Sequence, residues 1–368
     1  MKKRHFSVFI ATLSLVWAAT LAAYGFVWAV DPYELRSVRP DERLAPHAYP
    51  EDVTPRLAPA AAAEGIDIAI IGGSTAMGYT PAMMRRAFPG TQRPINLAYP
   101  CATGDDLALI LKRLETSRQL KRLIVSLDFT LMWPCVSVAS PLDPRYYRPT
   151  WYDPAPEFNP TSVELSNIVL RTGVLDIPAW QPRMPDRVDG VNFSPALTTQ
   201  PAEMAAIAGE VETERSTVTS GAVVSCAAIP ALARGIFPAV RRLAARGVKV
   251  DLLAPPYSLA FYFYPSSSGE DTATARTLFP RLMAIRRCAL AASASIPGVQ
   301  FHSFDTDLSI VGDLSAYSDV GHIRDYAVYD RILRGIANRG SVVPPGQWNV
   351  TESRLKSELA FYSPPRRS

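Results

Sequence analysis

The sequence predicts an α/β fold: a three-layer α/β/α sandwich whose central sheet has five, mainly parallel strands. Two observations lead to this fold class. From residue 65 onwards, short apolar runs alternate with helical patterns, and the first run, Ile66 to Ile71, stops at two glycines followed by Ser74. Strands that alternate with helices favour a parallel sheet covered on both faces. A strand that stops at Gly-Gly presents its next side chain at the carboxyl edge of the sheet, where α/β proteins bind their ligands.

The N-terminal stretch predicts a transmembrane helix in front of this domain. Phe6 to Val30 contains 25 residues without a charge, which is long enough to span a bilayer. Basic residues precede it and Asp31 and Glu34 follow it, which places the N-terminus in the cytoplasm. We therefore expect a single-pass protein of the bacterial inner membrane with its domain in the periplasm. The alternative is a cleavable signal peptide, because Val27-Trp28-Ala29 resembles a cleavage site.

The composition is that of an ordinary globular protein. Of the 368 residues, 48% are hydrophobic and 20% are charged, which suits a chain with a good core and argues against disorder. The net charge of +4 comes from scattered arginines, without a long basic run or zinc-ligand spacing. We therefore expect no metal site and no nucleic-acid partner.

The order of elements divides the chain. The predicted strands are Ile66 to Ile71, Pro94 to Tyr99, Arg122 to Leu127, Val248 to Ala254 and Val299 to Phe304. The predicted helices are Pro81 to Phe88, Asp105 to Gln119, Ala227 to Arg246, Ala273 to Ser293 and Asp325 to Ala337. Residues 31–64, rich in Pro, Ala and Arg, are typical of a tether, and the domain covers residues 65–340. The tail, residues 341–368, has no clear strand or helix pattern.

A proline-rich insertion interrupts the alternation at about residues 134–221. Twelve prolines lie from Pro134 to Pro201, which excludes a long regular helix or a central strand there. Seven aromatic residues accompany them: Trp133, Tyr146, Tyr147, Trp151, Tyr152, Phe158 and Trp180. These side chains could form a platform for sugar rings, or they hold the insertion together.

The cysteines are an even set on the oxidising side of a membrane. Cys101, Cys135, Cys226 and Cys288 fit no metal motif, and four cysteines allow three pairings. Cys101 and Cys135 each follow a predicted strand end, so that pair is the first expectation and Cys226 with Cys288 the second. Buried free thiols are the alternative.

Ser74 is the candidate nucleophile, and it needs a base. Of the four histidines, His5 flanks the membrane helix, His47 lies in the tether and His302 lies inside a predicted strand. His322 lies instead in a polar loop between the last strand and the last helix. Asp319 precedes it by three residues, a spacing that lets the carboxylate hold one ring nitrogen while the other faces the serine. The alternative is that Asp319 caps the following helix.

Three motifs together resemble the SGNH/GDSL hydrolase superfamily. They are Gly72-Gly73-Ser74-Thr75 after the first strand, Gly104 in the loop that follows the second, and Asp319-Val320-Gly321-His322 near the C-terminus. With the membrane anchor, the chain resembles most the extracytoplasmic members that modify cell-envelope polysaccharides. Those include alginate-type O-acetylation proteins and the anchored protein of teichoic acid D-alanylation, which operate with a membrane-bound O-acyltransferase.

The resemblance implies a role for each site residue. Ser74 would be the nucleophile, His322 the base and Asp319 its orienting partner, and the backbone N–H groups of Ser74 and Gly104 would face the oxyanion. The third family motif has an Asn that donates to the oxyanion, but this chain has Asp128 there. An ionised Asp128 would repel the oxyanion, so it must be protonated, turned away or in another role. Asn96 is a possible substitute donor, or a turn residue.

These residues predict a membrane-anchored serine acyl-transfer enzyme, an O-acetyltransferase or esterase, acting on an envelope polysaccharide. The alternative is a non-catalytic protein that keeps the fold and binds a glycan or a membrane-bound O-acyltransferase partner, which Asp128 favours. No cofactor is expected. Gly73 to Thr80 has the spacing of a phosphate-binding loop, but Tyr79 occupies the position of its lysine.

Overall fold

The protein is described by a computed structural model covering residues 2–30, 65–98, 102–131, 187–188, 191–192, 196–221, 224–263 and 278–364. The predicted tether, the Cys101 and Cys135 pair and most of the insertion, including its seven aromatic residues, lie outside the described residues.

A parallel sheet of five strands forms the centre of the domain, as predicted. The strands of the described residues are β1 (Ile68–Ile71), β2 (Pro94–Asn96), β3 (Arg122–Ser126), β4 (Arg187–Val188), β5 (Val191–Asn192), β6 (Lys249–Ala254) and β7 (Val299–Ser303). The main sheet has the order β2-β1-β3-β6-β7, and every neighbouring pair is parallel. β4 and β5 form a separate antiparallel pair. All five carboxyl ends of the main sheet therefore meet at one edge.

The central strands are apolar because both faces of the sheet are covered. All four residues of β1 are buried, as are the last four of β3 and the last five of β6. A strand buried on both faces reads as a continuous apolar run rather than an alternating one. This is why the sequence could indicate these strands although none of them alternates.

The helices of the described residues are α1 (Lys2–Val30), α2 (Pro81–Ala87), α3 (Gly104–Leu114), α4 (Pro201–Glu214), α5 (Phe237–Ala245), α6 (Leu278–Ser295), α7 (Leu308–Val311), α8 (Tyr326–Ala337) and α9 (Trp348–Phe361). The helix predicted from Ala227 to Arg246 is divided. A 3₁₀ turn at Cys226–Ala228 and a π-helical turn at Ala231–Ile236 precede α5. Pro230 and Pro238 carry no N–H group, so a regular ladder of hydrogen bonds cannot run through this region.

α1 has the length and composition of a membrane-spanning helix. Its segment His5–Phe26 has 22 residues with a mean hydropathy of 1.9, and none of that segment is buried against the domain. This agrees with the predicted anchor, although a signal sequence has the same properties.

Three helices were not predicted: the short α7, and the longer α4 and α9, which pack on the domain. α9 lies in the C-terminal tail and buries Trp348, Leu355 and Leu359, which share one helix face. Its Trp348 Nε1 donates to Glu352, which also binds Arg287 on α6 at 2.6 Å. α4 lies at the end of the predicted insertion and begins at its last proline, Pro201. The tail and this end of the insertion are thus parts of the domain.

Covalent and ionic contacts fasten α6 to its surroundings. Cys226 and Cys288 form a disulfide, with their Cα atoms 5.5 Å apart. This is the second of the two expected pairs. Arg286, also on α6, forms two hydrogen bonds of 2.6 Å with Asp305, and both side chains are fully buried. The guanidinium and carboxylate planes satisfy each other's donors and acceptors in this two-bond geometry.

Candidate functional site

Ser74 lies at the carboxyl edge of the sheet, in a 3₁₀ turn that directly follows β1. The turn covers Ser74–Ala76 and begins after Gly73. A Cβ atom at Gly72 would lie 2.7 Å from the Cβ of Ser126, and one at Gly73 would lie 2.8 Å from Asp128 Oδ2. Both glycines therefore allow the turn to pass close to the end of the neighbouring strand β3, and Ser74 remains half-buried.

His322 lies in the loop between α7 and α8. Tyr317 and Ile323 form an isolated antiparallel bridge, and Ser318 N donates to His322 O at 2.9 Å. Asp319 Oδ1 accepts from the backbone N–H groups of Gly321 at 2.8 Å and His322 at 2.9 Å. The Asp319 carboxylate is thus held by the backbone of its own turn. It does not cap α8, because Asp325 takes that role by accepting from Ala327 N at 2.8 Å.

The structure brings Ser74, His322 and Asp319 into one hydrogen-bonded chain. Ser74 Oγ lies 2.7 Å from His322 Nε2, although 248 residues separate the two in sequence. His322 Nδ1 lies 2.7 Å from Asp319 Oδ2 and 2.9 Å from Oδ1. Since the carboxylate can only accept, Nδ1 carries a proton and Nε2 of the neutral ring is left to accept the hydroxyl proton of Ser74.

The electrostatics of the chain suit a base at His322. Burial lowers the pKa of His322, but its hydrogen bond to Asp319 and the charges of Asp319 and Asp128 outweigh that effect and raise the pKa. For Asp319, burial raises the pKa, but His322 and the two backbone N–H groups lower it by more, so the net shift is downward. The side chains of His322 and Asp319 are 38% and 45% exposed, so the site is open to solvent.

Gly104 is the first residue of α3, just beyond the end of β2. Thr103 caps the helix in a capping box with Asp106. The N–H groups of the first helical turn have no partners within the helix, so the N–H of Gly104 points out of the helix end. Gly104 is also needed for packing, because a Cβ atom there would lie 2.0 Å from the Cβ of Ala231.

Asn96 is placed differently from the expectation of an oxyanion donor. Its Nδ2 donates to the carbonyl oxygens of Ala76 and Tyr79, both at 2.9 Å, and its Oδ1 accepts from Ala98 N at 2.9 Å. With these bonds made, the amide braces the chain that follows Ser74. The reading of Asn96 as a substitute donor was therefore wrong, and its role is that of a turn residue.

Asp128 lies beside the turn that carries Ser74 and is fully buried. Its Oδ2 accepts from Thr75 Oγ1 at 2.7 Å, and its Oδ1 accepts from Phe129 N at 2.6 Å and from the hydroxyl of Tyr257. Both oxygens are thus occupied by donors of the protein. Of the three options that the sequence left open, this geometry supports another role for Asp128.

A second hydrogen-bonded network of a serine, a histidine and an aspartate lies among the described residues. His302 Nδ1 lies 2.9 Å from Ser341 Oγ, and His302 Nε2 lies 3.0 Å from Asp251 Oδ1. Asp251 also receives two hydrogen bonds from Arg122. Burial raises the Asp251 pKa, but His302 and Arg122 lower it by more. His302 is fully buried, so we interpret this second network as structural.

Two residues just before α4 contact the loop that carries His322, which the sequence did not reveal. Leu197 N donates to Tyr317 O at 2.7 Å, and Gln200 Nε2 donates to Ser318 O at 2.5 Å. Burial, followed by the charge of Asp319, raises the pKa of Glu203. No local pattern could have indicated these contacts, because more than 110 residues separate Gln200 from Ser318.

The described residues contain no group of three or more His, Cys, Asp or Glu side chains that could hold a metal ion. Comparison of the chain with protein-family models and with curated proteins finds no match. The function is therefore argued from the geometry of Ser74, His322 and Asp319.

Proposed function

We propose that the protein is a membrane-anchored serine acyl-transfer enzyme, an O-acetyltransferase or esterase, that acts on a cell-envelope polysaccharide. The observation that carries this proposal is the hydrogen-bonded chain from Ser74 through His322 to Asp319, half-open to solvent at the carboxyl edge of the sheet. An activated serine needs a base within about 2.6–3.2 Å and a third group that orients the base, and both are present.

The reaction would proceed in two steps. His322 Nε2 takes the proton of Ser74 as Oγ attacks the acyl carbonyl, and the imidazolium then gives this proton to the departing alcohol, leaving Ser74 acylated. An acceptor, either a sugar hydroxyl or water, next loses its proton to His322 and attacks the acyl group. Asp319 stabilises the imidazolium in both steps. The N–H groups of Ser74 and Gly104 are the proposed oxyanion donors.

The fold supports an SGNH-like sandwich. In the main sheet the strands follow the order second, first, third, fourth, fifth along the chain, and the nucleophile follows the first. Together with the three motifs, this arrangement supports a place in the SGNH/GDSL hydrolase superfamily. The apolar helix α1 and the disulfide support a bacterial inner-membrane protein with a periplasmic domain. Its partners would be an acyl-bearing glycan and a membrane-bound O-acyltransferase.

A second candidate is an accessory protein without catalysis, which binds a glycan or an acyltransferase of the membrane. The observation that favours it is the buried carboxylate of Asp128, which approaches the backbone at Gly73. A negative charge there opposes the development of an oxyanion.

Covalent labelling distinguishes the two candidates. The full chain in detergent micelles is treated with a fluorophosphonate, and labelling of Ser74 is located by mass spectrometry. We expect Ser74→Ala to abolish labelling and turnover of a chromogenic acetyl ester, because Ser74 carries the only nucleophile in the proposed chain.

Ser341→Ala is the matched control, since Ser341 also contacts a histidine but belongs to the buried chain. It should label as the wild type does. Equal labelling of the wild type and Ser74→Ala would contradict the enzyme and favour the accessory protein.

A further inference from the structure

We propose that Asp128 is a positioning residue for the nucleophile: through Thr75 its carboxylate holds the turn that carries Ser74. This inference rests on the proposed function, because it assigns a role in the reactivity of Ser74.

The Asp128 side chain is held in one orientation by its own hydrogen bonds. It is 1% exposed, and its Oδ1 accepts from two donors, the backbone N–H of Phe129 and the hydroxyl of Tyr257. Tyr257 is equally constrained, since its ring stacks on Phe261 with centroids 4.1 Å apart and lies 6.0 Å from the guanidinium carbon of Arg286. The carboxylate therefore has one orientation, with Oδ2 directed at the nucleophile turn.

Both sequence neighbours of Ser74 lie close to Oδ2 of Asp128. Thr75 Oγ1 donates to Asp128 Oδ2 at 2.7 Å, and a Cβ atom at Gly73 would come within 2.8 Å of the same oxygen. Other contacts hold the turn at its backbone: Ala76 N donates to Gly73 O at 3.0 Å, Met77 N donates to Ser74 O at 3.2 Å, and Asn96 Nδ2 and the Tyr329 hydroxyl donate to Ala76 O and Thr75 O at 2.9 and 3.4 Å. The Thr75 side chain adds a contact that ties the residue next to Ser74 to Asp128.

Asp128 also adds charge near the base. The charged groups that face His322 from the elements around it are Asp319 in its own loop and Asp128 after β3, and Glu203 on α4 faces Asp319. Asp128 has two effects, the positioning of the turn and the negative charge near His322. A substitution of Thr75 changes only the positioning, so the two effects can be separated. Asn at position 128 can keep all three hydrogen bonds while removing the charge, since its Oδ1 accepts from Phe129 and Tyr257 and its amide donates to the Thr75 hydroxyl.

The positioning is tested with Thr75→Val, which removes the hydroxyl and keeps the shape of the side chain. We expect fluorophosphonate labelling of Ser74 in the full chain to slow by about 10-fold to 100-fold, as expected for a misplaced nucleophile. Thr75→Ser restores the hydroxyl and should label nearly as the wild type does. Thr116→Val is the matched control, because Thr116 is exposed and its hydroxyl only contacts Arg113 O beyond the end of α3.

Asp128→Asn tests the charge. The acid limb of its labelling pH profile should move to lower pH, because His322 has lost a neighbouring negative charge. Thr75→Val should slow labelling without moving that limb. If Asp128 and Thr75 contributed only to stability, the two variants would not differ in their effects on the pH profile and the labelling rate, and Thr75→Ser would not restore labelling.

Hydrogen exchange provides a readout that does not depend on reactivity. In Thr75→Val, the amides of Ala76 and Met77 should exchange faster, because the turn is no longer held. If the wild type does not label but this exchange increases, the proposed function fails and Asp128 still positions the turn. If the wild type labels and Thr75→Val equals it in both labelling and exchange, the inference is overturned.

Discussion

At the scale of single residues, the protein has two hydrogen-bonded networks of Ser, His and Asp side chains that differ in their surroundings. The chain of Ser74, His322 and Asp319 is half-open to solvent, whereas His302 and Asp251 are fully buried and Arg122 neutralises the carboxylate. A buried histidine without access to a substrate can satisfy a carboxylate but cannot serve as a base. Exposure, rather than residue type, therefore separates the candidate site from the structural network.

The pH dependence of the proposed reaction follows from the pKa of His322. His322 must be neutral to accept the proton of Ser74, and Asp319 and Asp128 raise its pKa. Activity should therefore be lost as the pH falls, with the acid limb above the pH of about 6.5 at which an unperturbed histidine titrates. Ester turnover measured from pH 5 to 9 checks this prediction.

Asp319→Asn should move the acid limb to lower pH and reduce the rate by roughly 10³-fold to 10⁴-fold, because the ring loses both its counter-charge and its correct tautomer. Asp313→Asn serves as the control, because Asp313 only caps the short 3₁₀ turn that precedes the loop. An unchanged limb in Asp319→Asn would show that another group sets the pH profile.

At the scale of elements, the site is assembled from the ends of strands and from one helix of the insertion. β1 supplies the turn with Ser74, β3 supplies Asp128, and the loop before α8 supplies His322 and Asp319. Leu197 and Gln200, just before α4, then hold that loop. Because α4 also buries Ile207 and Val211, its position is fixed by packing as well as by these bonds.

Gln200→Met tests the contribution of α4, since methionine keeps the length of the side chain but cannot donate to Ser318 O. If the lost hydrogen bond allows the loop to shift and displaces His322, its loss of about 1 kcal/mol should reduce turnover by roughly fivefold. Glu212→Gln, at an exposed position of α4, should leave turnover unchanged. Equal turnover in Gln200→Met and the wild type, at equal thermal stability, would show that α4 does not position the base.

At the scale of the whole molecule, the fold joins regions that the sequence suggested were separate. The disulfide ties Cys226, close to the insertion, to α6, and α9 from the tail packs on α6 through Glu352 and Arg287. The domain thus includes most of the predicted tail and the last part of the insertion.

Removal of this disulfide should lower the free energy of unfolding. The bond closes a loop with a sequence separation of 62, and such a loop stabilises a protein by about 4 kcal/mol through the entropy of the unfolded chain. Chemical denaturation of the Cys226→Ala, Cys288→Ala double variant measures the loss. A loss of less than about 1 kcal/mol would contradict this account.

The sequence by itself determined the local features of this protein. Runs of buried apolar residues set the five strands, and the three-residue spacing of Asp319 and His322 set the orientation of the base, because these depend on neighbours along the chain. The two longer helices that escaped prediction did so for a related reason: α9 has a narrow apolar face, and α4 begins at the last proline of a proline-rich stretch.

Only the tertiary structure decided which side chains meet across the sheet edge. Ser74 reaches His322 because parallel strands bring distant loops to one edge. Asn96 and Asp128 received their roles from the partners they contact, namely the carbonyl groups after Ser74 and the donors of Thr75, Phe129 and Tyr257. Hydrogen bonding has directions and short range, so the role of a polar side chain is settled by packing and not by its position in a motif.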